Sequence, residues 1–345
     1  MKKTTIATLV AAMMAVPAMS AQAADNEVNV YGQIRLSVDN NSDDFGAGSE
    51  GTGMKSNSSR LGVKGSMPTT LSGTDLIYKA EIRYGAADEK TAEIEWREGY
   101  GGLKGSWGKL RAGRLSVHYK TSGTKIDPWT DNIPQGRQSS KQGMSSLHSS
   151  YFNNALEYIT PKFGNLSAGV WHSMQFDGET GAPTDKVGTI HNAGPINKYK
   201  GGTASGAGVR YTDKNWFVSA DVLDIDADSV TSANMANGSG SQLAVRYKSG
   251  PFSIAAFYED VEDLGLGTNT YLNGIYRVGH TRLIATLGSN SDATQFGNQD
   301  IDTWSLGAKY DLTKKSELFA AFNSRDEGAN TFDTFTVGLN AKFGY

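Results

Sequence analysis

The residue patterns that could support catalysis or ligand binding are incomplete in this chain. Gly46, Gly48 and Gly51 match the G-x-G-x-x-G spacing, but a polar loop follows them instead of a helix whose first amides could hold a pyrophosphate. No serine stands in G-x-S-x-G, and the histidines lack the H-E-x-x-H spacing of a zinc site. His148 and His172 are expected to be ordinary strand residues. These patterns give no support to a nucleotide site, a hydrolase or a metalloprotease.

Three aspartates, at positions 224, 226 and 228, have the spacing of calcium ligands. A calcium loop of this kind needs a glycine next and a bidentate glutamate at its end, where this chain has Ser229 and Met235. We expect a solvated acidic cluster in a loop, with loose binding of divalent cations as the alternative.

The remaining charged residues follow a period of two. From position 28 to 38, apolar residues alternate with polar ones such as Gln33 and Arg35, and Arg60 and Lys64 alternate with apolar residues in the same way. Segment 76–84 places Tyr78, Ala80 and Ile82 on one face and charged residues, including Lys79 and Arg83, on the other. This alternation is typical of strands with one apolar face and one wet face.

The same pattern predicts sixteen strands, with no persistent helical period and no change in composition that would mark a second domain. Tight turns such as 105–106 and 279–280 alternate with long polar loops at 40–57, 116–148, 175–204 and 225–239. This asymmetry favours a closed transmembrane antiparallel β-barrel over a soluble sandwich. The predicted strands cover 27–39, 58–68, 74–84, 92–104, 107–115, 149–160, 165–174, 205–213, 215–224, 240–248, 251–260, 269–278, 281–288, 300–310, 316–324 and 332–345.

Residues 1–23 have the pattern of a secretory signal peptide: Lys2 and Lys3, a short apolar stretch, and an A-x-A site that ends at Ala23. We therefore expect residues 24–345 to form a single barrel domain. Without the two lysines, 31 basic residues stand against 36 acidic ones, a formal net charge of −5 that argues against nucleic-acid binding. The absence of cysteine excludes disulfides and thiolate chemistry.

The longest interruption of the strand pattern, residues 120–146, has neither a helical nor a strand period. Such long segments inside a compact domain are usually functional or a sign of a wrong assignment. Ile126, Pro128, Trp129, Ile133 and Pro134 are typical of an ordered loop, which predicts that the segment is held against another part of the protein.

Five pieces of the chain, taken in order, resemble the Gram-negative general porin family. They are VNVYG at 28–32, SRLGVKG at 59–65, REGYGGLK at 97–104 with LRAGR at 110–114, the segment 154–161, and the strand that ends in Phe343 and Tyr345. The resemblance spans the chain after the signal peptide. It implies a barrel of about 16 strands, a homotrimer, and a third extracellular loop that folds into the lumen. That loop is the segment 120–146, and WTDNIPQG at 129–136 resembles its tip.

The family pattern also implies where the pore constriction lies. Asp131 matches an acidic residue of the loop tip, whereas Gln135 stands where enteric members have a glutamate. Arg60 and Arg97 match basic residues of the facing wall. The resemblance therefore implies a constriction that is less charged on both sides than the enteric type and no more cation-selective. Further pore-lining candidates are Gln33 and Tyr151, which replace basic residues, and Arg35, Lys64, Lys79 and Arg83 on the wet face.

These features predict an outer-membrane channel for passive diffusion of small hydrophilic solutes and ions, with no cofactor and no enzymatic activity. The resemblance adds lipopolysaccharide and the barrel assembly machinery as partners, the latter recognising Phe343 and Tyr345. A substrate-selective or anion-selective porin is the first alternative, and a plugged structural or adhesive barrel is the second.

Overall fold

A computed structural model describes residues 26–42, 51–87, 94–174, 199–200, 202–227, 229–230 and 236–344. These residues form an antiparallel sheet of sixteen strand positions that closes on itself. The strands are β1 (Glu27–Asn41), β2 (Gly51–Ser56 and Arg60–Pro68), β3 (Thr74–Arg83), β4 (Glu95–Gly105), β5 (Gly108–Leu115), β6 (Phe152–Ile159), β7 (Leu166–Met174), β8 (Thr203–Thr212), β9 (Trp216–Asp226), β10 (Gly238–Ser249), β11 (Phe252–Val261), β12 (Gly267–Val278), β13 (Thr281–Ser291), β14 (Ile301–Thr313), β15 (Ser316–Glu327) and β16 (Asn330–Phe343).

The barrel closes through the pairing of its first and last strands. β1 runs antiparallel to β16, from Gly32 opposite Phe343 to Asn41 opposite Thr334. The ring of Phe343 packs directly on Gly32, where a Cβ atom would lie 2.3 Å from it. A glycine is therefore required at this contact, and closure pairs both edges of the barrel sheet with each other.

The strands are apolar outside and polar inside. In β9 the buried residues include Ser219 and Asp221, whereas Val222 on the opposite face is 55% exposed. In β16 Thr334 and Thr336 are buried and Phe335 is 50% exposed. This arrangement inverts that of a soluble protein, because lipid rather than water surrounds the outer face.

The predicted strands are confirmed, with ends that shift by a few residues. One difference concerns the predicted loop 40–57, because Gly51–Ser56 is a strand that pairs with the outer half of β1. Its glycine, threonine and serine residues carry no apolar alternation, so the pattern missed it. Another concerns the predicted loop 225–239, because β9 extends to Asp226. Asp224 and Asp226 are exposed strand residues rather than loop residues, and Asp228 lies outside the described residues.

Two ends of the barrel differ in their connections. Short turns join the strands at one end, for example between Gly105 and Gly108 or between Ser249 and Phe252. Aromatic pairs lie on the outer face near this end, with ring centroids 4.6 Å apart for Trp216 and Tyr247. We call this the short-turn end. Bands of aromatic residues of this kind mark the membrane boundary of outer-membrane barrels.

At the other end, residues 116–151 connect β5 to β6, and we call them the β5–β6 segment. Although its sequence has no helical period, α1 (His118–Thr124) opens it and short 3-10 turns form at Gln138–Ser140 and Ser146–Ser149. Seven residues are too few to establish an apolar period, and α1 is buried on several sides, which removes the polar face that a period requires. No helix in the described part of the chain is long and apolar enough to cross a membrane.

Candidate functional site

Asp131 lies at the centre of an arginine cluster. Its Oδ2 forms an ion pair with Arg60 and lies 3.7 Å from Nη1 of Arg35, while Oδ1 accepts a hydrogen bond of 2.6 Å from Nη2 of Arg137. Burial alone would raise the pKa of Asp131, but attraction to Arg60, Arg35, Arg137 and Arg97 outweighs it and holds the pKa well below the ordinary value of 3.8. This carboxylate is therefore ionised at neutral pH.

The wall facing Asp131 is shaped by a break in β2. Residues 57–59 separate the two halves of the strand, and Ser58 adopts a left-handed backbone conformation with a φ of 59°. Ser59 bonds through its hydroxyl to the backbone of Arg35. Arg60, the first residue after the break, thereby lies beside Arg35 and reaches the same carboxylate.

Glu81 forms a second acidic centre on the same wall. It accepts hydrogen bonds from Nε of Arg97 at 2.9 Å and from the hydroxyl of Tyr31 at 2.8 Å, and it lies 3.7 Å from Arg60 and 3.4 Å from Lys79. The sequence analysis did not select Glu81, although Glu81 lies between Lys79 and Arg83 on the same wet face of the strand. Arg97 therefore contacts this acid directly, and attraction to Asp131 is a longer-range effect.

The other residues that the sequence suggested for the pore lining have different partners. Oε1 of Gln135 accepts hydrogen bonds from the backbone N–H of Asp131 and from Nε of Arg137, so this side chain braces the loop tip. Gln33 is buried and donates to the carbonyl of Ser58. Two further candidates lie beside partners of their own: Lys64 over the Tyr31 ring, and Arg83 in an ion pair with Glu95. The structure thus brings Asp131 together with Arg60 and Arg35, and it adds Arg137.

Tyr151 is surrounded by cations. Nζ of Lys120 lies 3.3 Å from the ring centroid, and the guanidinium carbons of Arg114 and Arg97 lie 5.1 and 5.5 Å from it. Burial, followed by repulsion from Arg137 and Arg97, lowers the pKa of Lys120 well below its ordinary value of 10.5. The tyrosine ring supplies the negative face that these cations need.

Arg114 lies at the loop end of β5, one residue before the strand ends at Leu115. Counting along β5 predicts that its side chain is on the lipid-facing parity, where a charge requires a position near a rim or at a subunit contact. Its guanidinium donates to the carbonyl of Arg97 and to Oδ1 of Asn153, 2.6 Å away. The pairing with β6 shifts register here, between Gly113 and Leu115. The position of Arg114 near the rim agrees with the prediction.

The two ends of the β5–β6 segment are fixed to another part of the wall. Glu259 of β11, fully buried, accepts hydrogen bonds of 2.9 to 3.0 Å from Tyr119, from the backbone and hydroxyl of Ser145, and from Nε2 of His148. Nδ1 of His118 lies 2.5 Å from Asp221 of β9. His148 is therefore a fully buried loop residue, and its assignment to a strand is wrong because the chain reaches β6 only at Phe152.

Apolar side chains hold the middle of the segment. Trp129 is fully buried, packs edge-on against Phe319 of β15, and lies under the ammonium group of Lys309 at 5.0 Å. Ile126 joins a buried cluster with Phe257 and Tyr271. The prediction that these residues order the loop is confirmed by their burial.

No group of three metal-ligating side chains occurs within the described residues. Asp224 and Asp226 lie on the exposed face of β9. Of the G-x-G-x-x-G motif, Gly46 and Gly48 lie outside the described residues, and Gly51 begins the outer half of β2.

A family model described as Gram-negative porin matches residues 7–331. The chain belongs to the Gram-negative porin family. An outer membrane porin protein of Bordetella pertussis is 25% identical over 374 aligned residues, 93% of each chain. The major outer membrane protein P.IB of Neisseria meningitidis serogroup A is 26% identical over 99% of this chain and 100% of that protein.

Solved porin structures share the fold. An anion-selective porin from Comamonas acidovorans aligns with a TM-score of 0.72 at 17% identity, covering 92% of this chain and 100% of that one. OmpT of Vibrio cholerae in its trimer form aligns with a TM-score of 0.64 at 16% identity, covering the same shares. This porin is thus a closed outer-membrane barrel, and its function is passive diffusion through the barrel.

Proposed function

We propose that this porin admits small hydrophilic solutes and ions through a constriction that the β5–β6 segment forms by folding into the lumen. One observation carries the proposal: the segment contacts strands far apart around the closed sheet. Its tip bonds to Arg35 of β1 and Asn340 of β16, whereas its ends bond to Asp221 of β9 and Glu259 of β11. Contacts on both sides of the closed sheet support a course of the segment through the lumen.

The tip and the facing wall would then form the narrowest zone. Four arginines, at positions 35, 60, 97 and 137, stand against the carboxylates of Asp131 and Glu81. The local balance is positive, and charges at a narrow point are screened less than charges on the outer loops. We expect a mild preference for anions despite the acidic overall composition.

The charge balance can be tested with Arg60→Ser and Arg97→Ser, separately and together. Both substitutions widen the opening and remove positive charge. We therefore expect a higher conductance and a reversal potential that moves toward cation preference in a potassium chloride gradient. A reversal potential that does not move would place the selectivity filter elsewhere. Since serine is smaller than arginine, Arg60→Gln is the control that removes the charge with less change in size.

Passive diffusion requires neither a cofactor nor an energy source, and we propose that this chain has no enzymatic activity. Single-channel recording of the purified protein separates the alternatives. A large conductance that is linear with voltage supports diffusion, whereas a closed trace supports a plugged structural barrel. A substrate-selective porin would show a conductance that one class of solute blocks at low concentration.

We also propose that residues 1–23 are removed on export and that the remaining chain, 24–345, assembles as a homotrimer. A porin of the same fold has been solved as a trimer. The outer face near β1 and β16 is the expected contact surface, with lipopolysaccharide and the barrel assembly machinery as further partners. An electrophoretic mobility that corresponds to three subunits in mild detergent, and to a single subunit after heating, would support the trimer.

A further inference from the structure

A second group of cations lies on the inner face of the wall, away from Asp131. Arg210 of β8, Phe217 of β9 and Arg246 of β10 occupy the same face of three neighbouring strands, with Phe217 directly opposite Arg246 in the register. Each guanidinium carbon lies 5.5 Å from the centroid of the Phe217 ring. The aromatic ring therefore holds the two arginines at fixed places on either side of β9.

Two lysines extend this group. Nη1 of Arg246 donates to the carbonyl of Lys125 at 2.9 Å, which places the β5–β6 segment directly beside the arginines. Lys248 follows Arg246 on the same face, two residues nearer the short-turn end. Burial, followed by repulsion from Arg246 and Arg210, lowers the pKa of Lys125. Both lysines are exposed, so the group is open to solution.

In the described part of the chain, none of the four cations lies within ion-pair distance of a carboxylate, whereas Arg60, Arg97 and Arg111 each contact an acid. Asp221 is the acid that attracts Arg210 most strongly, but its carboxylate bonds to His118 and Ser219 instead. Glu157, which also attracts Arg210, pairs with Arg111. Arg277, which repels Lys248, is paired with Asp311.

The arginines also carry donors without acceptors. Nε of Arg210 and Nε of Arg246 are buried and have no hydrogen-bond partner within the described part of the chain. A buried donor without a partner is destabilising, and a charged one more so. The second terminal nitrogen of each guanidinium, Nη1 of Arg210 and Nη2 of Arg246, likewise has no acceptor there. Planar guanidinium groups with free donors match the oxygens of carboxylates and phosphates.

We propose that Lys125, Arg210, Arg246 and Lys248 form a binding subsite for small multivalent oxyanions between the constriction and the short-turn end. The inference rests on the proposed function, because the subsite faces solution only if the barrel is an open channel. In outer-membrane barrels short turns face the periplasm. An anion that has passed the constriction would meet this group before it leaves the barrel.

The test uses the full protein in a planar lipid bilayer at about 0.1 M potassium chloride, where charges act over about 10 Å. Citrate is added to one side at a time, with gluconate as a monovalent probe. We expect citrate to reduce the wild-type current at lower concentration from the short-turn side than from the loop side, and gluconate to have little effect. Arg246→Gln should require about tenfold more citrate, because one of four positive charges is lost.

Matched variants keep the outcome interpretable. Lys248→Gln removes a charge from an exposed side chain and serves if Arg246→Gln fails to fold. Lys104→Gln is the control, since this half-exposed lysine lies near the short-turn end on β4 and is paired with Asp75 at 3.5 Å. Equal block of Lys104→Gln and Lys248→Gln would mean that only net charge matters and would overturn the subsite. A normal open current without citrate block would overturn the subsite alone, whereas the absence of any current would overturn the proposed channel.

Discussion

Replacing Asp131 with asparagine tests the constriction most directly, because the two side chains have nearly the same size. Asp131 is the acid that contacts Arg35, Arg60 and Arg137. The four arginines of this site, with Arg97 included, and its two acids, Asp131 and Glu81, sum to a local charge of +2. The substitution raises this charge to +3. Pore width should stay almost constant, so a change in ion preference would report charge alone.

The size of the effect follows from Coulomb's law. A unit charge about 6 Å from a passing ion changes its energy by roughly 0.7 kcal/mol in water, and about 0.1 M salt lowers this to roughly 0.4 kcal/mol. Since the change has opposite signs for anions and cations, the ratio of anion to cation permeability should rise roughly three- to fourfold.

The assay is the reversal potential of a single channel in a tenfold potassium chloride gradient. Asp75→Asn is the control, because this half-exposed carboxylate at the short-turn end pairs with Lys104 and with no other cation among the described residues. It should leave the reversal potential nearly unchanged. A reversal potential of Asp131→Asn that stays constant or moves toward cations would refute the assignment of Asp131 to the narrowest zone. Heat-dependent electrophoretic mobility must first show that the variant is folded.

Three further predictions concern stability and assembly. The depressed pKa of Asp131 means that its contribution to stability is complete above the unfolded value, about 4, and is lost as the pH falls through the lower folded value. The difference in thermal stability between wild type and Asp131→Asn should therefore persist at pH 5, and its disappearance there would contradict the ion pairs. Trp129→Ala should cost about 3–5 kcal/mol and lower the temperature of heat modification, whereas Trp216→Ala on the exposed outer face should not; equal effects would contradict the anchoring role of Trp129. Deleting Tyr345, which lies outside the described residues, should lower the amount of assembled protein in the outer membrane, and unchanged assembly kinetics would exclude a role in recognition by the assembly machinery.

The strands of this porin were predictable because their signal is local. Alternation of apolar and polar residues depends only on the pleat, in which successive side chains point to opposite faces. The last strand shows this plainly: Phe335, Val337 and Phe343 share the exposed face, as their spacing predicts. Outward apolar residues and inward polar ones then require closure in lipid, so the barrel follows from the pattern as well.

Irregular positions were not predictable, because alternation carries no information on where the pairing between strands slips. The register of β5 and β6 shifts between Gly113 and Leu115, and the break at residues 57–59 brings Arg60 beside Arg35. Neither irregularity has a signature that alternation alone could register. The strand Gly51–Ser56 was missed for a related reason, since its residues have no apolar face.

The composition of the candidate site was decided by tertiary structure. The sequence indicated Asp131, Arg60 and Arg97. Glu81 and Arg137 join them only because the β5–β6 segment packs against the wall beside these residues. Arg210, Arg246 and Lys125 likewise come from two strands and a loop that are remote in the chain. Sequence fixes which face of a strand a charge occupies, whereas strand register and loop packing decide which charges meet. Only contact determines whether a charge is neutralised by a neighbour or remains available to a passing ion.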